Sequence, residues 1–217
     1  MREAFHEELD LITKHLQKMA LLVKFATAEA TTALLTADLS LAESVIAQDD
    51  VIDQMQHELD DKTMQLLATQ QPVASDLRVL VTSLRMSADL ERMGDMAHHI
   101  AKLARMRHPA TAVPPEASLT IEEMGRVAGI IIEKLAQIIV SRDIQAAQQL
   151  AIDDDEMDKL HRKLIQTLIS KDWPYSAESA IDLTLLGRYY ERAADHAVSI
   201  SRRVYYLVTG KYQDSKG

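Results

Sequence analysis

The chain has 217 residues and a formal charge of −9, from 33 acidic against 24 basic side chains, so as a whole it offers no basic surface for a nucleic-acid backbone. It contains no cysteine, which removes disulfides, thiolate metal sites and cysteine nucleophiles and fits a reducing cytoplasm; any metal must be held by oxygen or histidine. Aromatic residues make up 4% of the chain and there are only six glycines and five prolines, a composition that favours helix over strand and predicts an all-α protein.

The first ten residues are acidic and amphipathic instead of basic then apolar, and no run approaches ~18 consecutive apolar residues, so the chain reads as soluble and cytoplasmic. Apolar residues at Phe5, Leu9, Ile12, Leu16, Met19, Val23, Ala26, Ala30 and Ala33 alternate spacings of four and three, which predicts one long helix with a seam facing other helices. After a break near Asp38 the pattern resumes at Leu41, Val45, Ile52, Met55, Leu59 and Leu66, with polar Gln48 and Lys62 at two seam positions, and stops at Gln70-Gln71-Pro72. A third run through Val79, Met86, Leu90, Met93, Ala97, Ile100 and Ala104 leads to the proline-rich stretch His108 to Pro115. The prolines, Pro72, Pro109, Pro114, Pro115 and Pro174, punctuate helices rather than interrupt them.

The second half repeats the plan. Met124, Ala128, Ile131, Leu135 and Ile138 predict a fourth helix, Leu150, Met157, Leu160 and Leu164 a fifth, and Leu186, Tyr190, Ala193, Ala197, Ile200, Val204 and Leu207 a sixth. Asp38, Asp49, Asp50 and Asp53 recur as Asp143, Asp154, Asp155 and Asp158, and Glu91 and Asp95 recur as Glu191 and Asp195, which identifies a tandem duplication. Strict four-three spacing also suits an extended coiled coil, but the breaks and the repeat favour chains that fold back. The predicted architecture is two antiparallel three-helix bundles packed side by side: residues 1–107, a linker at 108–117, residues 118–210, and a polar tail at 211–217.

Four places carry an acid followed four residues later by Asp: Asp49 with Asp53, Glu91 with Asp95, Asp154 with Asp158, and Glu191 with Asp195. On a helix such residues lie one above the other, so two carboxylates share a small volume and repel unless a cation offsets them. Any single pair in so acidic a chain is readily a solvated face, and Arg92, Arg188 and Arg192 are available as ordinary ion-pair partners. Four pairs at matching positions in both copies favour a hard or borderline cation. With Leu90, Met93 and Ala97 toward the core, Glu91 and Asp95 are expected well away from it, on a surface or in a shallow groove, unlike the inward ligands of ferritin-like di-iron bundles. His98, His99 and His196 are candidates beside them. Gly94, within a helix, suggests close approach of another helix or an ion, and its counterpart is Ala194. No phosphate-binding glycine loop, nucleophile elbow or metalloprotease motif is present, which argues against an enzyme.

Together these residues closely resemble the PhoU family, regulators of the bacterial phosphate transport system. Asp89 to Asp95 (DLERMGD) and Arg188 to His196 (RYYERAADH) look like its paired signatures, and Pro72 to Arg78 (PVASDLR) and Val208-Thr209-Gly210 look like further family features. The resemblance implies a homodimer with multinuclear clusters of iron, zinc, manganese or magnesium on the surface, held by Glu91, Asp95, Glu191 and Asp195 with Asp49, Asp53, Asp154 and Asp158 contributing. It also implies a non-enzymatic adaptor that restrains phosphate uptake and represses starvation genes by linking the ATPase subunit of the phosphate ABC transporter to a sensor histidine kinase, meeting the membrane only through them. Met96, where the family commonly has His, and Ala193-Ala194, where it commonly has Ile-Gly, set the two halves apart. A metal-storage or metal-dependent protein, or a plain helical interaction module, are the competing readings.

Overall fold

The computed structural model describes residues 2–213, and within them every regular element is a helix. The part of the expected tail at 214–217 lies outside the described residues. Helices α1 (Arg2–Thr36), α2 (Leu39–Gln70) and α3 (Ala74–Arg107) form the first bundle, and α4 (Pro115–Ser141), α5 (Ile144–Asp153), α6 (Asp155–Leu168) and α7 (Ala177–Thr209) the second.

The ends of these helices follow from local chemistry. Ala37 adopts a left-handed φ of 52°, after which the Asp38 carboxylate accepts from the Leu41 amide at 3.0 Å and starts α2. Its counterpart Asp143 caps α5 in the same way, accepting from Gln145 and Ala146. Pro115 opens α4 at the position where a missing N–H costs nothing. The irregular linker is therefore residues 108–114, and it is not free chain: Ala112 and Val113 are buried in the core.

Every seam residue read from the first predicted helix is buried, as are those of the third and fourth. Leu41 and Leu207 are only partly buried, and Thr63 occupies the core in place of Lys62, whose ammonium instead reaches Glu8 at 2.7 Å. The fifth predicted helix is two, α5 and α6, meeting at Asp154. The hydrogen-bond ladder nevertheless continues, Asp154 N to Leu150 O at 3.1 Å and Asp158 N to Asp154 O at 3.2 Å. The irregularity falls in the run Asp153-Asp154-Asp155, where poor helix formers with like charges crowd one turn.

Helix α1 packs on α2, α3 and α4, and α3 on α1, α2 and α7, so the bundles share one continuous core. Although the sequence lacks an uninterrupted apolar run, α1 is long and apolar enough by composition to cross a membrane. Half of that stretch is spent inside the bundle.

The α3–α7 seam shows the duplication as a pseudo-twofold. Asp89 accepts hydrogen bonds from Ser199 at 3.3 Å and Arg203 at 2.9 Å, and meets His196 Nδ1 at 3.0 Å. The equivalent pair one repeat away, Tyr189 and His99, is a stacked ring contact with centroids 5.2 Å apart. One geometric position thus carries an ionic cluster in one half and an aromatic one in the other.

Candidate metal centres

Helix α2 brings Asp49 and Asp53 beside Glu91 and Asp95 of α3, and the second bundle brings Asp154 and Asp158 beside Glu191 and Asp195 of α7. Gly94 permits the first approach. A Cβ there would stand 3.0 Å from Ile52 Cδ1 and 3.6 Å from Asp49 Oδ1, so the bare backbone lets α2 lie close to α3. Ala194 fills the equivalent position and is buried.

Glu91 and Asp95 lie off the core in a groove, as expected, but are more sheltered there than a single seam suggests. Their side chains are 18% and 29% exposed, lying in the groove between α2 and α3. The reason is that α3 packs against three helices at once, which leaves a much narrower solvent face than a single seam predicts.

In the first cluster burial pushes the Asp49 carboxyl above its usual range. His98 opposes that shift, while Asp53 and Asp95 add to it. Glu91 is likewise raised by burial and by Asp95, with Arg92 offsetting part. The His98 ring meets Asp49 Oδ2 through Nδ1. The far nitrogen of that ring, Nε2, is buried without a partner among the described residues, and so is Asp53 Oδ1. Arg92 stands 3.5 Å from Glu91 and 3.1 Å from Asp95.

The second cluster is the more frustrated. Burial, then the charges of Asp158, Asp195 and Glu191, push Asp154 up to about 7. Glu191 is raised by burial and Asp195 against the opposing effects of Arg188 and His161, and Arg188 forms an ion pair with it. Among the described residues no histidine hydrogen-bonds an acid of this cluster as His98 does Asp49: His161 acts on Glu191 through charge alone, and His196 faces the other way, toward Asp89.

The donor chemistry fits hard and borderline cations: carboxylate oxygens throughout, with the His98 imidazole behind Asp49 at the first cluster. The buried orphan Asp53 Oδ1 and a set of mutually repelling, partly desolvated acids are what a bound cation would relieve. Among the described residues, no group of three or more His, Asp or Glu side chains is already arranged as a metal cage. The carboxylates stand near one another but not converged.

Residue spacing alone left His98, His99 and His196 equivalent. The fold separates them: His98 joins the first cluster, His99 stacks on Tyr189, and His196 pairs with Asp89. Asp89 has no acid four residues before or after it, so spacing gives it no place among the pairs. Burial raises its carboxyl, but the hydrogen bonds of His196 and Arg203 outweigh that and leave it below the ordinary range.

The PhoU domain family matches this chain twice, at residues 16–104 and 121–204. The chain is 43% identical over 212 residues to the phosphate-specific transport system accessory protein PhoU homolog 2 of Mycobacterium bovis, covering 98% of this chain and all of that one. It is 42% identical to PhoU homolog 1 of Mycobacterium leprae, over 99% of this chain and 96% of the relative. Among solved structures, PhoU from Pseudomonas aeruginosa superposes with a TM-score of 0.85 at 29% identity, covering 95% of this chain and 100% of that one. The phosphate transport system regulatory protein PhoU from Streptococcus pneumoniae superposes with a TM-score of 0.87 at 26% identity, over 97% and 99%.

Proposed function

Because the chain belongs to the PhoU family, whose domain it carries twice, we propose that it restrains phosphate uptake and the phosphate-starvation response. It is an accessory protein of phosphate transport, not an enzyme. The observation that carries this reading is the pair of domain matches, at residues 16–104 and 121–204, in a chain aligned over nearly its whole length with phosphate transport accessory proteins.

Mechanistically, the protein acts as an adaptor. As a cytoplasmic homodimer it docks helical faces on the ATPase subunit of the phosphate transporter and on a sensor histidine kinase, and it reaches the membrane only through them. Glu91, Asp95, Asp49 and Asp53 would hold an iron, manganese, magnesium or zinc ion in the first half, and Glu191, Asp195, Asp154 and Asp158 one in the second. Such a cation would supply positive charge that neutralises the repelling acids. His98, whose Nδ1 meets Asp49, orients that carboxylate.

Deletion of the gene, together with any related copy, tests the regulatory role. Phosphatase expression and phosphate uptake in phosphate-rich medium are expected to rise in the deletion strain and to return on complementation. Unchanged expression and uptake would refute it.

A further inference from the structure

Two motifs of the sequence, Pro72 to Arg78 and Val208 to Gly210, take no part in the carboxylate clusters, yet they fold against each other. Gly210 caps α7 with φ 70°, and a Cβ there would stand 2.7 Å from Arg78 Nη1, so glycine is what lets the cap lie against that guanidinium. Arg78 donates from Nη1 toward the carbonyls of Tyr206 and Leu207 at 3.5 Å and lies over the Tyr206 ring, 5.6 Å from its centroid. Tyr206 stacks in turn on Tyr212, with centroids 4.5 Å apart and planes 11° from parallel.

This junction walls a cavity of about 460 Å³ between the start of α3 and the end of α7. In a chain of net charge −9, the cavity is lined by Arg78, Arg85, Arg202 and Arg203. Arg203 is held by Asp89, and Arg78 by backbone carbonyls. Arg85 and Arg202 are exposed and have no ion-pair or hydrogen-bond partner among the described residues. The lining also carries apolar Leu77 and Val81, in one row of α3 with Arg85, while Tyr212 presents an open ring, 74% exposed. Gln213 Oε1 at the same cavity is buried with no donor.

The duplicated half shows that this surplus of cations is not a requirement of the fold. One repeat away, Arg78 and Thr82 are replaced by Glu178 and Asp182, and Arg107 closes that end by bonding Asp182 at 2.6 Å and Glu178 at 2.7 Å. Arg85 is replaced there by Leu185. At that end the acids pair with Arg107, and Lys102 stands where the other has Arg202; among the described residues lining the cavity there is no acid at all.

We propose that this cavity binds a nucleoside polyphosphate. Arg85 and Arg202 take the phosphate oxygens, since guanidinium forks match phosphate and neither has another partner. Leu77, Val81 and the open face of Tyr212 take the base, and Gln213 Oε1 accepts a hydrogen bond from an exocyclic amino group. Inorganic phosphate would use the arginines but leave the apolar part of the lining uncovered. The volume falls in the usual range for organic ligands, roughly 300 to 1,000 Å³.

Isothermal titration calorimetry of the full chain, stripped of metal by chelator, with ATP, tripolyphosphate and orthophosphate tests the assignment. Saturable binding of one ATP per chain is expected, with tripolyphosphate weaker by roughly tenfold and orthophosphate weaker still. Arg85→Gln with Arg202→Gln is expected to weaken ATP by at least about tenfold without moving the urea midpoint, because both side chains are exposed. Tyr212→Ala is expected to narrow the gap between ATP and tripolyphosphate. No saturable ATP binding, unchanged affinity in the double arginine variant, or equal affinity for ATP and tripolyphosphate would each overturn the proposal. Binding of a poly-glutamate peptide that depends on Arg85 and Arg202, with none for ATP, would also overturn it and make this face a protein-docking surface.

Discussion

The hydroxyls of Thr31 on α1 and Tyr190 on α7 meet at 2.7 Å in the interior, tying the first helix of one bundle to the last helix of the other. Thr31 donates its single proton to Thr27 O at 2.7 Å, so Tyr190 is the donor to Thr31. Gly125 of α4 sits against the same threonine. A Cβ there would stand 2.5 Å from Thr31 Cγ2, and a threonine held by two hydrogen bonds has little freedom to yield.

Tyr190→Phe is therefore expected to cost about 1 kcal/mol, the net worth of one buried hydrogen bond. Gly125→Ala is expected to cost about 1 to 3 kcal/mol despite alanine's better helix propensity, through overpacking of the α1–α4 contact. Urea unfolding curves measure both. An unchanged midpoint for Gly125→Ala would mean that α1 and α4 are not in such close contact.

At the neutralised end of the α3–α7 seam, Arg107 holds Asp182, which is 5% exposed, through Nε at 2.6 Å and Nη2 at 3.1 Å. Removing one partner of such a pair strands the other charge. Arg107→Met is expected to lower the melting temperature clearly, whereas Arg126→Met, which loses only an exposed partner in Glu123, is expected to leave it nearly unchanged. Equal shifts by calorimetry would refute the distinction.

Asp154 gives a pH dependence with a definite sign. Its carboxyl titrates near 7 in the folded chain against an ordinary value of 3.8, so between these values the folded state holds a proton that the unfolded state has released. In metal-free protein its contribution to stability therefore falls as pH rises from about 4 to about 7 and is level above that. Comparing urea unfolding of wild type and Asp154→Asn at pH 5 and pH 8 isolates the effect: the variant is expected to gain on wild type at pH 8. A difference that is the same at both pH values would contradict it. Added divalent metal, which requires the deprotonated carboxylate, is expected to reverse the deficit at pH 8.

The all-helical fold was legible because seams such as Phe5 to Ala33 keep one period over nine positions and every one is buried. The duplication was legible because acids recur at fixed offsets. What spacing could not supply was contact between helices. His98 meets Asp49 across 49 positions and Arg78 meets Tyr206 across 128, so neither the imidazole's role nor the arginine cavity leaves a local signature. The degree to which Glu91 and Asp95 are sheltered depends on how many helices surround α3, and periodicity along one helix carries no such count. The division at Asp154 lies inside one unbroken apolar run, Leu150 to Leu164, so periodicity gives a single helix there.

Metal content distinguishes the two clusters. Protein purified without chelator is expected to carry divalent or ferric ions by elemental analysis. Glu91→Ala with Asp95→Ala should lose those of the first half, and Glu191→Ala with Asp195→Ala those of the second, while circular dichroism stays helical. Equal metal content in wild type and in a variant altered at all four acid pairs would defeat the idea.

Affinity capture of the intact protein from cells grown in high and in low phosphate tests the adaptor reading most directly. The account predicts recovery of the phosphate transporter's ATPase subunit and of a sensor histidine kinase, in amounts that differ between the two media. Recovery of neither protein in either medium would contradict it.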